Sequence, residues 1–208
     1  DIARIAWKNH RNGAANPFAQ RQKERSIEEI LDDPISGSLT RLQCCPVGEG
    51  AAAVIVASDE GIDRLGIDRS RAVRVRSSVT RSEGLYATTV GIDAALTAET
   101  GALAFDEAGI DVGDVDVLEV HDAFSIEELL YTEALGLCRP GEAASLVATG
   151  VFDIGGLCAV SPSGCLLSMG HPIGPTGTGQ IAEVARQLRH DVGRRERQGM
   201  VQRDGGDN

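Results

Sequence analysis

A stretch rich in glycine and proline, residues 161–177, constrains the fold of this chain more than any other feature. Its letters are SPSGCLLSMGHPIGPTG, and they surround one imidazole, that of His171. Glycine serves where the backbone turns through positive φ or comes close to a ligand. From Gly179 to Leu188, apolar residues recur at the spacing of one helix face, which predicts a buried helix. The stretch therefore predicts a tight turn that delivers a histidine at the start of that helix.

Composition narrows the class of protein. The chain has 208 residues, enough for one or two domains, and only 3% of them are aromatic against 25 glycines. This balance favours closely packed α/β layers over a surface that stacks bases. The net charge of −11 opposes binding to phosphate backbones, so we expect no nucleic-acid partner. No apolar run approaches the roughly 20 residues that a membrane-spanning helix needs.

The cysteine pattern indicates thiols rather than disulfides or metal. There are five cysteines, an odd number, and no pair has the C-x-x-C spacing of a zinc site. Free thiols in a chain of this length are typical of a reducing compartment, so we predict a cytoplasmic protein without a metal.

Strand and helix patterns alternate along the chain, which predicts an α/β fold. Residues 1–8 look like the start of a helix, and turn-forming residues follow from 9 to 18. Residues 1–47 as a whole therefore look like a loop-rich excursion, with a capping box from Ser26 to Glu29. The continuous apolar run 51–57 predicts a strand buried on both faces. The alternating stretch 72–79 predicts a strand with one wetter face.

Farther along, residues 92–108 have the pattern of a helix and residues 115–120 that of a strand. A second capping pattern at Ser125 predicts the start of a helix. The polar segment His121 to Phe124 thus lies between a strand and a helix, where open α/β sheets place their ligand chemistry. The last residues, 203–208, are predicted to be disordered.

His121 and His171 are the candidate catalytic residues, because imidazole titrates near neutral pH and can act as a general base. The alternative is that each is a structural histidine. Asp122 could orient an imidazole, or supply a negative charge at the start of a helix. Cys165 could pair with His171 as a nucleophile, although a small buried residue is the simpler interpretation.

Several motifs together resemble one family. Residues 170–177, GHPIGPTG, resemble the G-H-P-x-G-A-T/S-G signature of thiolases. Residues 121–124, HDAF, resemble the H-D-C-F block of the sterol-carrier-protein-type thiolases. Further matches to that subfamily occur in order at residues 8–10, 16–20, 48–53, 129–138 and 161–164. The resemblance covers residues 1–198.

This resemblance implies an α/β, layered αβαβα fold, of which the chain carries the C-terminal half and the end of the N-terminal half. We predict boundaries at residues 1–64, 65–198 and 199–208, the last being a polar tail. The family makes or breaks a carbon–carbon bond in 3-oxoacyl-CoA thioesters, is usually homodimeric, and needs no cofactor beyond the coenzyme A thioester. Its nucleophilic cysteine would lie before Asp1.

The resemblance also implies roles for particular residues. His171 would accept the proton of the nucleophilic cysteine and stabilise the thioester oxyanion, and His121 would hold a water or a second oxyanion. The implied substrate-binding residues are Ser163, Gly164, Gly170 and Asp122. Three residues depart from the family pattern. Ala123 replaces an acid/base cysteine, Cys165 replaces a glycine and Pro175 replaces an alanine.

Because alanine cannot move protons, Ala123 leaves three explanations open. In the first, the acid/base of a thiolase reaction lies in C-terminal strands that would follow this chain, as in classical thiolases, or Cys165 takes its place. Alternatively, the protein is a thiolase-like retro-aldolase of β-hydroxyacyl-CoA, a class that pairs with an OB-fold partner protein but has tyrosine at the position of His121. The third explanation is a catalytically inactive subunit that binds lipid or coenzyme A.

Overall fold

A computed structural model describes residues 1–82 and 92–198 of the chain. Its α-helices are α1 (Ile2–Ala14), α2 (Ile27–Leu31), α3 (Asp59–Leu65), α4 (Ile92–Ala108), α5 (Ser125–Ala134), α6 (Ala143–Ala148), α7 (Cys165–Met169) and α8 (Thr176–Gln198). Its strands are β1 (Pro34–Ser36), β2 (Leu39–Thr40), β3 (Val117–Leu118) and β4 (Ala159–Val160). Short 3₁₀ turns follow β2 at Arg41–Gln43 and α4 at Val112–Asp114.

The strands form two small sheets. β1 and β2 pair antiparallel, whereas β3 and β4 pair parallel, with Val117 opposite Ala159 and Leu118 opposite Val160. The predicted strand at 115–120 is therefore confirmed in its centre. A parallel pair needs a crossover, and here helices α5 and α6 lie in the connection.

Helix α1 lies between the two clusters of buried apolar side chains. On one side, Ile5 packs with Phe152 and Val160. On the other side, Ala3 and Ala6 pack with Ile30 and Leu167. The N-terminal region is thus part of the core, and the prediction that residues 1–47 form only a loop-rich excursion was wrong.

Helix α1 is also longer than its sequence indicates. Turn-forming residues predicted that it would end near Lys8, yet it continues to Ala14. Tertiary contacts explain the difference, because Asn9 and Asn12 bury their amides against distant partners. A Cβ atom on Gly13 would lie 2.3 Å from the Cβ of Ser168. Glycine here allows another segment to approach the helix backbone.

Neither predicted strand between residues 51 and 79 forms within the described part of the chain. Ile55 and Val56 are 92% and 83% exposed, and no strand is assigned from 44 to 82. A strand needs a hydrogen-bonded neighbour, and none of the described residues provides one to these segments. Their apolar patterns are typical of strands, but a pattern alone does not supply the partner.

Capping explains where two helices begin. The capping box from Ser26 to Glu29 is confirmed, with the Ser26 hydroxyl accepting from the Glu29 N–H at 3.2 Å. At α5 the predicted cap is displaced by one residue. The Glu127 carboxylate accepts from the Phe124 N–H at 3.1 Å, and Ser125 is the first helical residue.

The described chain divides into two compact units. One contains residues 1–50 and 75–173, and the other contains residues 51–74 and the chain from 174 onward. The predicted boundary between 64 and 65 stays a prediction. In the second unit α8 confirms the predicted last helix, but Ile181 is 60% exposed and Leu188 is 40% exposed. Val184 and Ala185, on the same predicted face, are half-buried, so the expectation of a buried apolar face holds only in part within the described residues.

The helix predicted at 92–108 is confirmed with the same bounds. The polar tail, 199–208, lies outside the described residues. Among the helices that the structure describes, none has the length and apolar character to span a membrane.

Candidate active site

His121 is placed by a strand and by a pairing with a distant segment. It follows β3 and precedes α5. Ala123 accepts a backbone hydrogen bond from the Cys45 N–H at 2.8 Å, and Cys44 forms an antiparallel bridge with Phe124. The segment that carries His121 is therefore fixed at both ends. Its imidazole is exposed.

His171 is placed by the glycine-rich turn. The turn leaves β4 through Ser161 and Gly164, whose φ angles of +53° and +85° bend the chain sharply. The single-turn helix α7 follows and ends at Gly170, with φ of +99°. His171 comes next, so the positive-φ residues predicted from sequence do shape this loop.

The two segments bring the two candidate histidines together. The ring centroids of His121 and His171 lie 4.7 Å apart, with the ring planes at 86°. His171 is half-buried, and burial lowers its pKa, as does the nearby His121. At neutral pH the His171 imidazole is thus largely uncharged, which is the form that can accept a proton.

Ser163 and Gly164 support this turn from the inside. Ser163 is 2% exposed, and its hydroxyl donates to the Glu119 carboxylate at 2.8 Å. A Cβ atom on Gly164 would lie 2.6 Å from the Gly13 backbone. Both residues pack against protein, while their predicted contact with substrate stays a prediction. Glu119 was missed in the sequence, although it precedes His121 by only two residues.

Gly170 lies at the hinge between α7 and His171. A Cβ atom on it would lie 2.6 Å from the Gln20 Oε1 atom. Its φ of +99° is one that side-chain-bearing residues rarely adopt. Gly170 therefore sets the path of the backbone that presents His171, while its predicted contact with substrate stays a prediction.

Asp122, the residue after His121, is fully buried. Its Oδ2 accepts from the Asn9 amide at 2.7 Å and its Oδ1 from the Leu166 N–H at 2.8 Å. Burial raises its pKa well above the ordinary value, and the neighbouring Glu128 adds to this effect. Both oxygens accept hydrogen bonds from protein donors, while the predicted contact of Asp122 with substrate stays a prediction.

Cys165 does not face the histidine pair as a reactive thiol. The residue is 1% exposed, and its Sγ donates to the Val120 carbonyl at 2.6 Å. Burial raises its pKa well above the ordinary value of a thiol, with Asp122 and Glu119 contributing. A nucleophile needs an accessible thiolate, so the interpretation of Cys165 as a small buried residue is supported. All five cysteines lie in the described part of the chain, and no disulfide joins any two of them.

Sequence comparison identifies the protein family of this chain. The family described as "Thiolase C-terminal domain-like" matches residues 85–206, more than half of the chain. The chain therefore belongs to the thiolase family.

Within that family, the chain is similar to proteins of the sterol-carrier type. It is 42% identical over 203 residues to sterol carrier protein 2 of Oryctolagus cuniculus, covering 94% of this chain and 37% of that protein. It is 44% identical over 195 residues to the benzoylsuccinyl-CoA thiolase subunit BbsB of Thauera aromatica, covering 91% of this chain and 49% of that protein. The chain thus spans less than half the length of these two relatives.

A solved structure supports the fold. The "Ltp2-ChsH2(DUF35) aldolase" superimposes with a TM-score of 0.71 at 22% identity, covering 91% of this chain and 50% of that chain. At this identity the likeness concerns the fold, and it confirms the predicted α/β thiolase-like class. In the described residues the secondary structure consists of helices and two two-stranded sheets.

Proposed function

We propose that this chain is part of a thiolase-like acyltransferase that acts on 3-oxoacyl-CoA thioesters in fatty-acid or sterol side-chain metabolism. The observation that carries the proposal is the pair of imidazoles, His121 and His171, 4.7 Å apart between ring centroids. Membership of the thiolase family supports the class of reaction. The coenzyme A thioester is the substrate, and the proposal includes no separate cofactor.

The chemistry assigned to His171 follows from its charge state. Its pKa is lowered by burial and by His121, so the neutral ring can take the proton of a nucleophilic thiol near pH 7. In the same geometry, an imidazole N–H can donate to the oxyanion that forms when the thioester is attacked. His121 is exposed and lies against His171, so it can hold a water or a second oxyanion.

Ala123 favours a second candidate, retro-aldol cleavage of a β-hydroxyacyl-CoA. The methyl group of Ala123 cannot carry a proton, and the Cys165 thiol is buried with a raised pKa. Retro-aldol cleavage needs a base for a hydroxyl proton, but it needs no thiol nucleophile. A base such as His171 or His121 would suffice for that step.

The full-length protein distinguishes these reactions. Thiolysis consumes added coenzyme A and splits acetoacetyl-CoA into two acetyl-CoA molecules, so the loss of free thiol is followed with DTNB. Retro-aldol cleavage of a β-hydroxyacyl-CoA releases an aldehyde or ketone without added coenzyme A. We expect thiolysis, reduced at least about 100-fold by His171→Ala, the lower range for losing a general base.

The exposed Arg139 gives a control, since Arg139→Ala should leave the rate unchanged. Wild-type thiolysis by His171→Ala would contradict the role of His171. Carbonyl release without thiolysis would replace the first candidate by the second. The absence of both reactions would support the inactive, ligand-binding subunit.

Two partners complete the proposal. We propose a homodimer, as the family resemblance implies, and, for the retro-aldolase candidate, an OB-fold partner protein. The structural neighbour is named for a DUF35 component together with the aldolase, which supports testing for such a partner. Size-exclusion chromatography with light scattering shows whether the full-length protein is a homodimer.

A further inference from the structure

Asp122, which follows His121 in the chain, belongs to a buried polar cluster of Lys8, Asn9, Asp122 and Glu128, here called the Lys8 network. All four residues are 0% exposed. The Lys8 ammonium donates to the Asn9 amide oxygen at 2.7 Å and to the Val160 carbonyl at 2.6 Å, and lies 3.0 Å from Glu128 Oε1. A buried lysine is costly unless its charge and donors are matched, and here the ammonium has two hydrogen-bond acceptors and one carboxylate beside it.

Asn9 connects the ammonium with the two carboxylates. Its amide nitrogen donates to Asp122 at 2.7 Å and to Glu128 at 2.8 Å, which uses both of its N–H groups. Two carboxylates and one ammonium thus share a site without solvent. Burial, and then the neighbouring Glu128, raise the pKa of the Asp122 carboxyl above its ordinary value.

The network reaches both histidines through one side chain. Asp122 follows His121 directly in the chain. Its Oδ1 accepts from the N–H of Leu166 at 2.8 Å, in the first turn of α7, and α7 ends one residue before Gly170, which leads into His171. A single carboxylate therefore binds the segment of one imidazole to the segment of the other.

We propose that Asp122 is the positioning residue of the His121–His171 pair, held in place by Lys8, Asn9 and Glu128. This inference rests on the proposed function. All four network side chains are buried, and the network acts by fixing the relative position of two backbone segments. Positions must hold within a fraction of an ångström for efficient proton transfer, which is what such a buried scaffold provides.

The variant Asp122→Asn tests the proposal. The substitution preserves the size of the side chain but replaces one carboxylate oxygen by an NH₂ group. In either orientation of the new amide, this NH₂ group faces another donor, either the Asn9 amide nitrogen or the Leu166 N–H. Burial and His121 set the pKa of His171, so a change in that titration reports movement of the rings. The full-length protein, labelled with ¹³C at histidine Cε1, gives this titration by NMR.

We expect Asp122→Asn to lower kcat at least about tenfold, to change KM less than about threefold, and to move the pKa of His171 up toward its ordinary value. Thr132→Val is the matched control. Thr132 is 1% exposed on α5, and its hydroxyl donates only to the α5 carbonyls of Glu128 and Leu129. This variant should lower the melting temperature while kcat and the His171 titration stay unchanged.

A lowered melting temperature of Asp122→Asn with wild-type kcat and wild-type His171 titration would overturn the proposal. The NMR titration tests the positioning role of Asp122 even if the protein turns over no thioester. Failure of this proposal can therefore be told apart from failure of the proposed function. If Asp122→Asn does not fold, Glu128→Gln serves instead, because it keeps the volume and the Asp122–Leu166 contact. We expect a smaller upward shift in the same titration, and an unchanged titration would refute the inference.

Discussion

His121 and His171 stand edge to face, with ring centroids 4.7 Å apart and ring planes at 86°. The two residues come from segments separated by 50 positions in the sequence and are delivered by different elements. One ring is exposed and the other is half-buried. The nearby His121 lowers the pKa of His171, so the coupling between the two rings is electrostatic.

The first prediction concerns the pH dependence of this pair. Burial and then His121 lower the pKa of His171. His121→Gln removes the contribution of His121 and leaves that of burial. The pKa of His171 should therefore rise but remain below about 6.5. The acid limb of the pH–kcat/KM profile should move to higher pH by the same amount. A ¹³C-histidine NMR titration measures the pKa directly, and an unchanged or lower value would contradict the coupling.

The second prediction concerns Gly164, where helix α7 begins. Its φ is +85°, and an added Cβ would lie 2.6 Å from the Gly13 backbone and 2.8 Å from the Asn9 carbonyl. Backbone cannot move aside as a side chain can. Gly164→Ala should therefore lower the free energy of unfolding by about 3 kcal/mol or more, combining strain at positive φ with overpacking.

Gly109 provides the matched control for that substitution. Its φ is +64°, but an added Cβ would meet nothing within 4 Å. Gly109→Ala should cost only the conformational strain, about 1 kcal/mol. Urea unfolding of both variants measures the difference. Equal costs would show that α1 and α7 do not approach as closely as the structure places them.

Local features of this chain could be predicted from sequence because they need no distant partner. The capping box of Ser26 with Glu29 involves residues three apart, and the helix at 92–108 has a pattern contained within itself. The strand predicted at 51–57 was wrong for the opposite reason. Its hydrogen bonds would have to come from another strand, and the sequence of residues 51–57 does not specify that partner.

The candidate site shows the same division. The glycine-rich turn predicted that His171 is a site residue. The likeness of residues 121–124 to a family block predicted that His121 belongs to the same site. The Lys8 network was missed, because lysine is among the residues least often buried. Lys8 and Glu128 are 120 positions apart in sequence, so only the fold reveals that they pair.

The third prediction concerns stability in acid and involves His10. This residue is fully buried, and burial lowers its pKa, while its ring contacts the Leu42 carbonyl at 2.9 Å and the Ser168 hydroxyl at 3.2 Å. The unfolded chain binds a proton at His10 near pH 6.5, whereas the folded chain binds it only at lower pH. The stability contributed by neutral His10 is therefore complete above pH 6.5 and is lost as the pH falls below it.

Urea unfolding at pH 7.5 and pH 5.5 checks this. His10→Gln should be less stable than the wild type at pH 7.5 and should lose less stability on acidification, because its side chain does not titrate. The comparison uses the difference between variants, since carboxylates elsewhere contribute equally to both. A wild-type and a variant protein with parallel pH dependence would exclude His10 as the acid-sensitive group.

The last prediction concerns the order in which the cysteines react. Cys44 and Cys45 are half-buried, whereas Cys158 and Cys165 are each 1% exposed. Burial raises the pKa of Cys158 to about 12 and that of Cys165 well above its ordinary value. Only the thiolate reacts. A pKa near 12 therefore lowers the reactive fraction of the Cys158 thiol about 1,000-fold relative to an ordinary cysteine, and burial of the sulfur slows the reaction further.

Labelling with N-ethylmaleimide at pH 7.5, followed by peptide mass mapping, measures each site in the full-length protein. Cys44 and Cys45 should be modified first, and Cys158 and Cys165 should react only after unfolding in urea, where all five sites become equivalent. Cys165→Ala should then retain kcat within about threefold, because a buried thiol bonded to the Val120 carbonyl takes no part in proton transfer. Rapid labelling of Cys165 in the folded protein, together with loss of activity, would instead make it the acid/base that Ala123 cannot supply.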